Sequence, residues 1–340
     1  MRAAIYNPYL ETLGGGERYS MAVAKALVNN GYHVDVEWRG APIKKKLGER
    51  FDMDLTGVNF VKDVKRGDGY EVCFWVSDGS IPTLRSRKNF LHFQVPFHDV
   101  NGRTLLNKMK LFRINKIICN SYFTKGFIDK EYGVASIVIY PPVSVSKIKP
   151  KRKQNRILFA GRFSQLAQAK NQDLLIKAFR KFVKDFPDWE LVLAGGVEVG
   201  VGNYLKKLKK LSEGYPVRII KSPSFKEIVS LYGQSKIFWS AVGFGANEER
   251  QPEKVEHFGI SLVEAMAAGA APVVYKAGGY QEIVDEAKTG YFWKKEKDLI
   301  AKTVNLIETR GLLSKIARNA REASQVYEDE RFEQEITDLL

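Results

Sequence analysis

Short apolar runs alternate with amphipathic stretches along almost the whole chain, and this alternation limits the fold more than any other feature. Residues 3–6, 33–38, 71–75, 90–93, 116–120 and 137–140 read as strands, with helical patterns between them at 17–29 and 122–131. The stretch 141–155 then carries proline, serine and lysine without apolar periodicity, the composition of a linker. Beyond it the alternation restarts. Strands are predicted at 156–160, 190–194, 217–220, 237–240 and 271–274, and helices at 171–186, 204–212, 225–234 and 261–268. Ser224 followed by Glu227 predicts a capping box at the start of the 225–234 helix.

Strand–helix alternation builds parallel sheets covered by helices on both faces. Two such blocks in 340 residues imply an α/β protein of two doubly wound domains. The expected division is 1–148, 149–325 and a terminal segment 326–340. Ligands of such sheets bind beyond the carboxyl ends of the strands, so a cleft between two facing domains is the default place for a site.

Composition excludes several classes. With 44% apolar and 27% charged residues, the chain is globular rather than disordered. Its two cysteines, Cys73 and Cys119, sit in apolar runs, which points to no disulfide framework and a reducing compartment. No segment reads as a signal peptide or a membrane span. A soluble, cytoplasmic protein is the expectation. The net charge of +15 suggests an anionic partner. Up to Ile148 there are 22 basic and 14 acidic residues, and the remainder is basic too, so no detachable nucleic-acid-binding tail exists.

Three motifs carry chemistry, each just after a predicted strand. In the first, Glu256 and Glu264 stand eight positions apart, with Gly259 breaking any helix between them. A helix N-terminus here suits a phosphate, and a neighbouring carboxylate can accept from sugar hydroxyls. The helix that follows is apolar nearly all round, so it is buried and Glu264 needs partners. In the second, Gly161-Arg162-Phe163 precedes Lys170-Asn171, placing two cations where an anion would relieve their repulsion with a helix start. In the third, Gly14, Gly15 and Gly16 permit a tight turn before the first helix, without matching the dinucleotide pattern G-x-G-x-x-G.

His92, near the end of a predicted strand, is either a substrate-facing residue or a satisfied core histidine. Four scattered histidines and two cysteines make no zinc site. Residues 103–113 mix basic and apolar side chains, which suits either an anionic membrane surface or a solvated helix face. The lysine clusters at 44–46 and 206–210 pose the same choice.

Taken together, 14–18, Gly161-Arg162-Phe163 with Lys170-Asn171, and Glu256 through Glu264 resemble the retaining glycosyltransferases of family 4, which have the GT-B fold. Cys119-Asn120-Ser121-Tyr122, Tyr140-Pro141-Pro142-Val143 and Gly278-Gly279 extend the resemblance over nearly the whole chain. The Glu256-His257-Phe258-Gly259-Ile260 string looks like the mannosyltransferases that extend lipid-linked oligosaccharides. Two departures stand out: His257 replaces a common proline or small residue, and the 164–169 spacer differs from the usual Pro-Glu type.

The resemblance implies two Rossmann-like domains facing across a cleft, with the terminal helix crossing back onto the first. It implies a metal-independent enzyme that needs no cofactor and moves a hexose from GDP-mannose or a UDP-sugar to a saccharide or lipid-linked acceptor. Arg162 and Lys170 would clamp the donor diphosphate, and Glu256 would face the sugar hydroxyls beside the backbone of Phe258, Gly259 and Ile260. Glu264 would accept from the ribose. Gly15, Gly16 and Gly161 would allow close approach, and His92 would serve the acceptor side, with His98 a second choice. Peripheral contact with the inner membrane face is a further expectation. The rivals are a GT-B sugar-nucleotide epimerase and a non-catalytic basic nucleic-acid-binding protein.

Overall fold

A computed structural model describes residues 1–165 and 168–340 of the chain. It divides into two compact units, Met1–Pro142 with Asp329–Leu340, and Val143–Glu328. The division falls six residues before the expected one. Although the linker is rich in proline, serine and lysine, its Val143, Val145 and Ile148 are buried and belong to the second unit.

The first unit holds β1 (Arg2–Tyr6), α1 (Gly15–Asn29), β2 (His33–Glu37), α2 (Lys44–Phe51), β3 (Val58–Val61), β4 (Val72–Val76), β5 (Lys88–Phe93), α3 (Leu105–Leu111), β6 (Lys116–Cys119), α4 (Tyr122–Tyr132) and β7 (Ile137–Val138). All seven strands are parallel, in the order β3-β2-β1-β4-β5-β6-β7. The strand order reverses between β1 and β4, where Tyr6 pairs in register with Trp75. Helix α4 has both expected end signals. The Ser121 hydroxyl accepts from the Thr124 N–H at 3.0 Å, and Gly133 closes the helix at φ +67°.

The second unit holds β8 (Gln154–Ala160), α5 (Gln172–Phe182), β9 (Glu190–Gly195), α6 (Gly202–Ser212), β10 (Val217–Lys221), α7 (Phe225–Gln234), β11 (Ser235–Ser240), α8 (Ile260–Ala267), β12 (Ala271–Tyr275), α9 (Tyr280–Ile283), β13 (Tyr291–Trp293), α10 (Glu296–Glu308) and α11 (Leu312–Ser324). Its sheet is also all parallel, in the order β10-β9-β8-β11-β12-β13. The last five residues of β8 are buried, the pattern of a strand covered on both faces. The capping box at α7 forms, with Glu227 accepting from the Ser224 N–H at 2.7 Å. Helix α5 ends four residues early because Pro187 disfavours helical geometry at Phe186, whose ring instead stacks on Phe182 at 4.8 Å.

The last helix, α12 (Asp329–Thr337), packs within the first unit. Phe332 meets Tyr19 edge-on at 4.9 Å, and Glu333 accepts from Asn29 Nδ2 at 2.7 Å. Both cysteines are free and buried. The lysine clusters at 44–46 and 206–210 lie on α2 and α6, whose opposite faces bury Leu47 and Phe51, and Tyr204 and Leu208. They are solvated helix faces. Among the described residues, no helix is long and apolar enough to cross a membrane.

Candidate functional site

In the second unit, residues far apart in sequence gather around one ion pair. The chain leaves β8 through Gly161 and Arg162, crossing Gly195 at the end of β9. A Cβ on Gly195 would overlap the Gly161 carbonyl, so this crossing requires glycine. The Arg162 carbonyl accepts from Gln172 Nε2 at 2.9 Å, which ties the turn to the start of α5. Asn171 sits at φ +50° with its amide donating to the Ala241 carbonyl at 3.0 Å.

Lys170 thereby points inward. Its Nζ donates to Glu256 Oε2 at 2.9 Å and to Gln168 Oε1 at 2.7 Å, with the two ionic side chains only 11% and 17% exposed. Gln168 also donates to the Val255 carbonyl at 2.6 Å, so one amide fixes both the ammonium and the loop that carries the carboxylate. The Arg162 guanidinium is exposed and makes no hydrogen bond or ion pair among the described residues. Of the 164–169 spacer, residues 166 and 167 lie outside the described residues.

The Glu256 loop is held by glycine packing. Gly259 lies at φ +122°, and a Cβ there would stand 2.6 Å from the Tyr280 ring. Gly278, at φ +55°, has its Cα against the Glu256 carbonyl, and the Gly279 N–H donates to that carbonyl at 2.7 Å. Tyr280 is fully enclosed and its hydroxyl lies 2.9 Å from Ser240 Oγ. Burial, with help from the Glu256 charge, pushes its phenol well above the ordinary value.

Helix α8 starts at Ile260, directly after this loop. It buries Leu262, Val263, Ala265, Met266 and Ala267, while Glu264 stays half-buried. Its first N–H groups have no partner within the helix, which leaves a positive end beside Lys170 and Glu256. Phe258 is buried against Tyr327 at 5.4 Å, so this position offers backbone rather than its ring. A lysine ammonium paired with a carboxylate, four residues before a helix start, can hold a phosphate next to hydroxyl groups.

The first unit places its expected residues differently. Gly15 opens α1, and the Cα of Gly16 lies against the Gln94 amide, which a Cβ would overlap. Glu17 Oε2 accepts from the Gly14 N–H at 2.6 Å and from Thr12 Oγ1 at 2.7 Å, which pins the glycine turn. His92 requires a correction. Its ring is completely buried, stacked on Tyr19 at 4.1 Å and near Phe74 at 5.4 Å, and neither ring nitrogen has a hydrogen-bond partner. Burial pushes its pKa down to about 3, and the ring sits in the core rather than on an exposed surface. His98 is partly exposed, with Nδ1 2.8 Å from Asp99 Oδ2.

Sequence reasoning missed Gln168, Glu17, Gly195 and Tyr280. Only Glu17 and Gly195 left a signal: a carboxylate three residues past a helix start, and a glycine ending an apolar run. Among the described residues, no three or more His, Cys, Asp or Glu side chains cluster as metal ligands.

Two doubly wound parallel sheets, the second carrying this Lys–Glu site at its strand ends, define the GT-B class of glycosyltransferase folds. HepE from Anabaena, solved with UDP and glucose, superimposes with a TM-score of 0.80 at 19% identity, covering 99% of this chain and 98% of that one. Residues 144–323 match the model of the glycosyl transferases group 1 family, and the chain belongs to that family. An uncharacterised glycosyltransferase of Methanocaldococcus jannaschii is 28% identical over 263 residues, covering 74% of this chain and 69% of its own length. A mouse GDP-Man:Man(3)GlcNAc(2)-PP-Dol alpha-1,2-mannosyltransferase is 27% identical over 236 residues, covering 64% of this chain but only 46% of its own length.

Proposed function

We propose that this glycosyltransferase is a retaining, metal-independent enzyme of family 4 type. It moves a hexose from a nucleotide-diphospho sugar, GDP-mannose or a UDP-sugar, to a saccharide or lipid-linked acceptor. The observation that carries this reading is the Lys170–Glu256 pair at 2.9 Å beside the start of α8. The GDP-mannose-dependent activity by which the mouse relative is named, and the UDP and glucose bound to HepE, support a nucleotide-sugar donor.

In this reading Lys170, Arg162 and the α8 N-terminus offset the charge that develops on the departing diphosphate, in place of a metal ion. Glu256 accepts from hydroxyls of the transferred sugar, and Glu264 accepts from the ribose. The bond from the anomeric carbon to the phosphate oxygen breaks as the acceptor oxygen bonds to that carbon on the same face. The acceptor proton passes to the departing phosphate oxygen. His92 has no part in this scheme.

Helix α3 favours a membrane-proximal acceptor. Leu105, Leu106, Met109 and Phe112 are 75%, 61%, 62% and 89% exposed, with Lys108 exposed among them. Apolar side chains ringed by cations match an anionic lipid surface.

The test is donor turnover by Lys170→Ala and Glu256→Gln. Each should lose roughly 100-fold or more in kcat/KM, the scale of a lost charge-stabilising group, with circular dichroism unchanged. Full activity in either variant overturns the site. Product analysis with donor alone separates slow hydrolysis, expected of a transferase, from formation of an epimer.

A further inference from the structure

The first unit carries a second concave region, an open cavity of about 580 Å³. That volume falls within the range of small-molecule sites. It lies where the strand order reverses, at the carboxyl ends of β1 and β4, the usual ligand position of an open parallel sheet.

One wall is aromatic. The rings of Tyr6 and Trp75 stack at 3.8 Å and 17°, both half-buried. The facing lip is cationic. Lys65 and Arg66 occupy consecutive left-handed positions, φ +50° and +54°, on the turn after β3. Such geometry costs about 1–2 kcal/mol per residue without glycine. The Lys65 N–H donates to Asp63 Oδ1 at 2.7 Å, and the Arg85 N–H donates to the Arg66 carbonyl at 2.9 Å, so one backbone lattice sets all three cations at the cavity.

The acids at this cavity offset those cations only in part, since the lining carries four cations and three acids. Glu37 is held by Arg39 at 3.2 Å and by the Val64 N–H at 3.1 Å, and Arg39 reaches Asp63 at 4.0 Å. Lys65, Arg66 and Arg85 make no ion pair among the described residues, and Asp68 is the one lining acid with no side-chain partner there. Three unpaired like charges around one cavity repel one another, and an anion between them relieves that repulsion. Arginine in pairs favours carboxylate or phosphate.

We propose that this cavity binds the acceptor, and that the acceptor is a saccharide carrying a carboxylate or a phosphate. The sugar's apolar face lies on Tyr6 and Trp75, its anionic group meets Arg66, Arg85 and Lys65, and Asp68 accepts from a hydroxyl. The word acceptor rests on the transferase reading, whereas the binding chemistry does not.

The experiment is titration of the full chain with methyl glucuronide, glucose 6-phosphate, methyl glucoside, inorganic phosphate and AMP, read by calorimetry and by tryptophan fluorescence. The two anionic sugars should bind at least ten-fold more tightly than methyl glucoside, phosphate or AMP, and less tightly as salt rises. Whichever of the two binds more tightly identifies carboxylate or phosphate as the natural group. Combining Arg66→Asn, which tolerates the left-handed backbone, with Arg85→Gln should cost at least ten-fold in affinity, and Trp75→Phe should remove the fluorescence change. Equal binding of neutral and anionic glycosides, AMP binding as tightly as the anionic sugars and weakened alike by the arginine variant, or unchanged affinity of the anionic sugars in that variant would each overturn the proposal. Donor hydrolysis by the unmodified protein is measured alongside. Donor consumed without anionic-sugar binding sinks this inference alone, whereas anionic-sugar binding without donor consumption sinks the transferase reading and keeps the cavity's chemistry.

Discussion

His92 illustrates how burial decides a residue's role. A histidine at a strand end can serve acid–base chemistry, but this one lies in an aromatic stack with Tyr19 and Phe74 and stays neutral there. Its folded pKa of about 3 lies below the ordinary 6.5, so between those values the unfolded chain binds a proton that the folded chain does not. Its contribution to stability is therefore complete above pH 6.5 and declines on acidification towards pH 3. From pH 7.5 to 5.5 the loss should be about 1.4 kcal/mol. Urea unfolding at both pH values should show His92→Phe, which keeps the aromatic stack, losing less by that amount. Equal losses in both proteins would mean the ring is not held neutral. Lys170 presents the opposite case: its cationic character was plain in the sequence, but its partner Glu256 lies 86 positions away and only the fold pairs them.

At the scale of elements, α3 and α8 contrast. Helix α8 is apolar on nearly all sides and is buried as its sequence requires. Helix α3 mixes four apolar residues with two lysines and has no buried residue. The segment before α3 is anchored from elsewhere, with the Glu131 carboxylate accepting from the N–H groups of Asp99, Val100 and Gly102 at 3.0, 3.1 and 2.9 Å. Held in this way, α3 presents Leu106, Met109 and Phe112 outward rather than to a core. The protein should therefore co-sediment with vesicles rich in anionic lipid at low salt. Leu106→Ser combined with Phe112→Ser should reduce the bound fraction several-fold, without loss of thermal stability, since neither side chain is buried. No sedimentation of the unmodified protein would remove the membrane reading. Among the elements that the sequence did not reveal were β3, β13, α10 and α11. The first two have four and three residues, too few for a period to register, and α10 and α11 lie beyond the last motif.

For the whole molecule, the net charge of +15 and the Lys170 site both predict stabilisation by nucleoside diphosphates. A diphosphate at 100 times its Kd stabilises the folded state by about 2.7 kcal/mol, which raises Tm by several degrees. A thermal-shift panel of GDP, UDP, ADP and CDP should single out one base, and Lys170→Ala should abolish the shift. Equal small shifts for all four would indicate charge screening without a base pocket. Much of this molecule is set locally. Runs such as 157–160 and 191–194 are apolar enough to be covered strands wherever they pack, and Gly161, Gly259 and Gly278 mark turns that side chains would obstruct. The linker, in contrast, misled by composition, because its three buried aliphatic residues are spaced without a period.

From the sequence alone, the parallel α/β architecture and the buried α8 followed, because periodicity, turn chemistry and burial cost act over a few neighbouring positions. Only the tertiary structure decided that His92 belongs to a core, that Gln168 couples Lys170 to the Glu256 loop, and that Tyr6, Trp75, Arg66 and Arg85 surround one cavity. Those outcomes depend on strand order and register, which join positions tens of residues apart and leave no local trace in the chain.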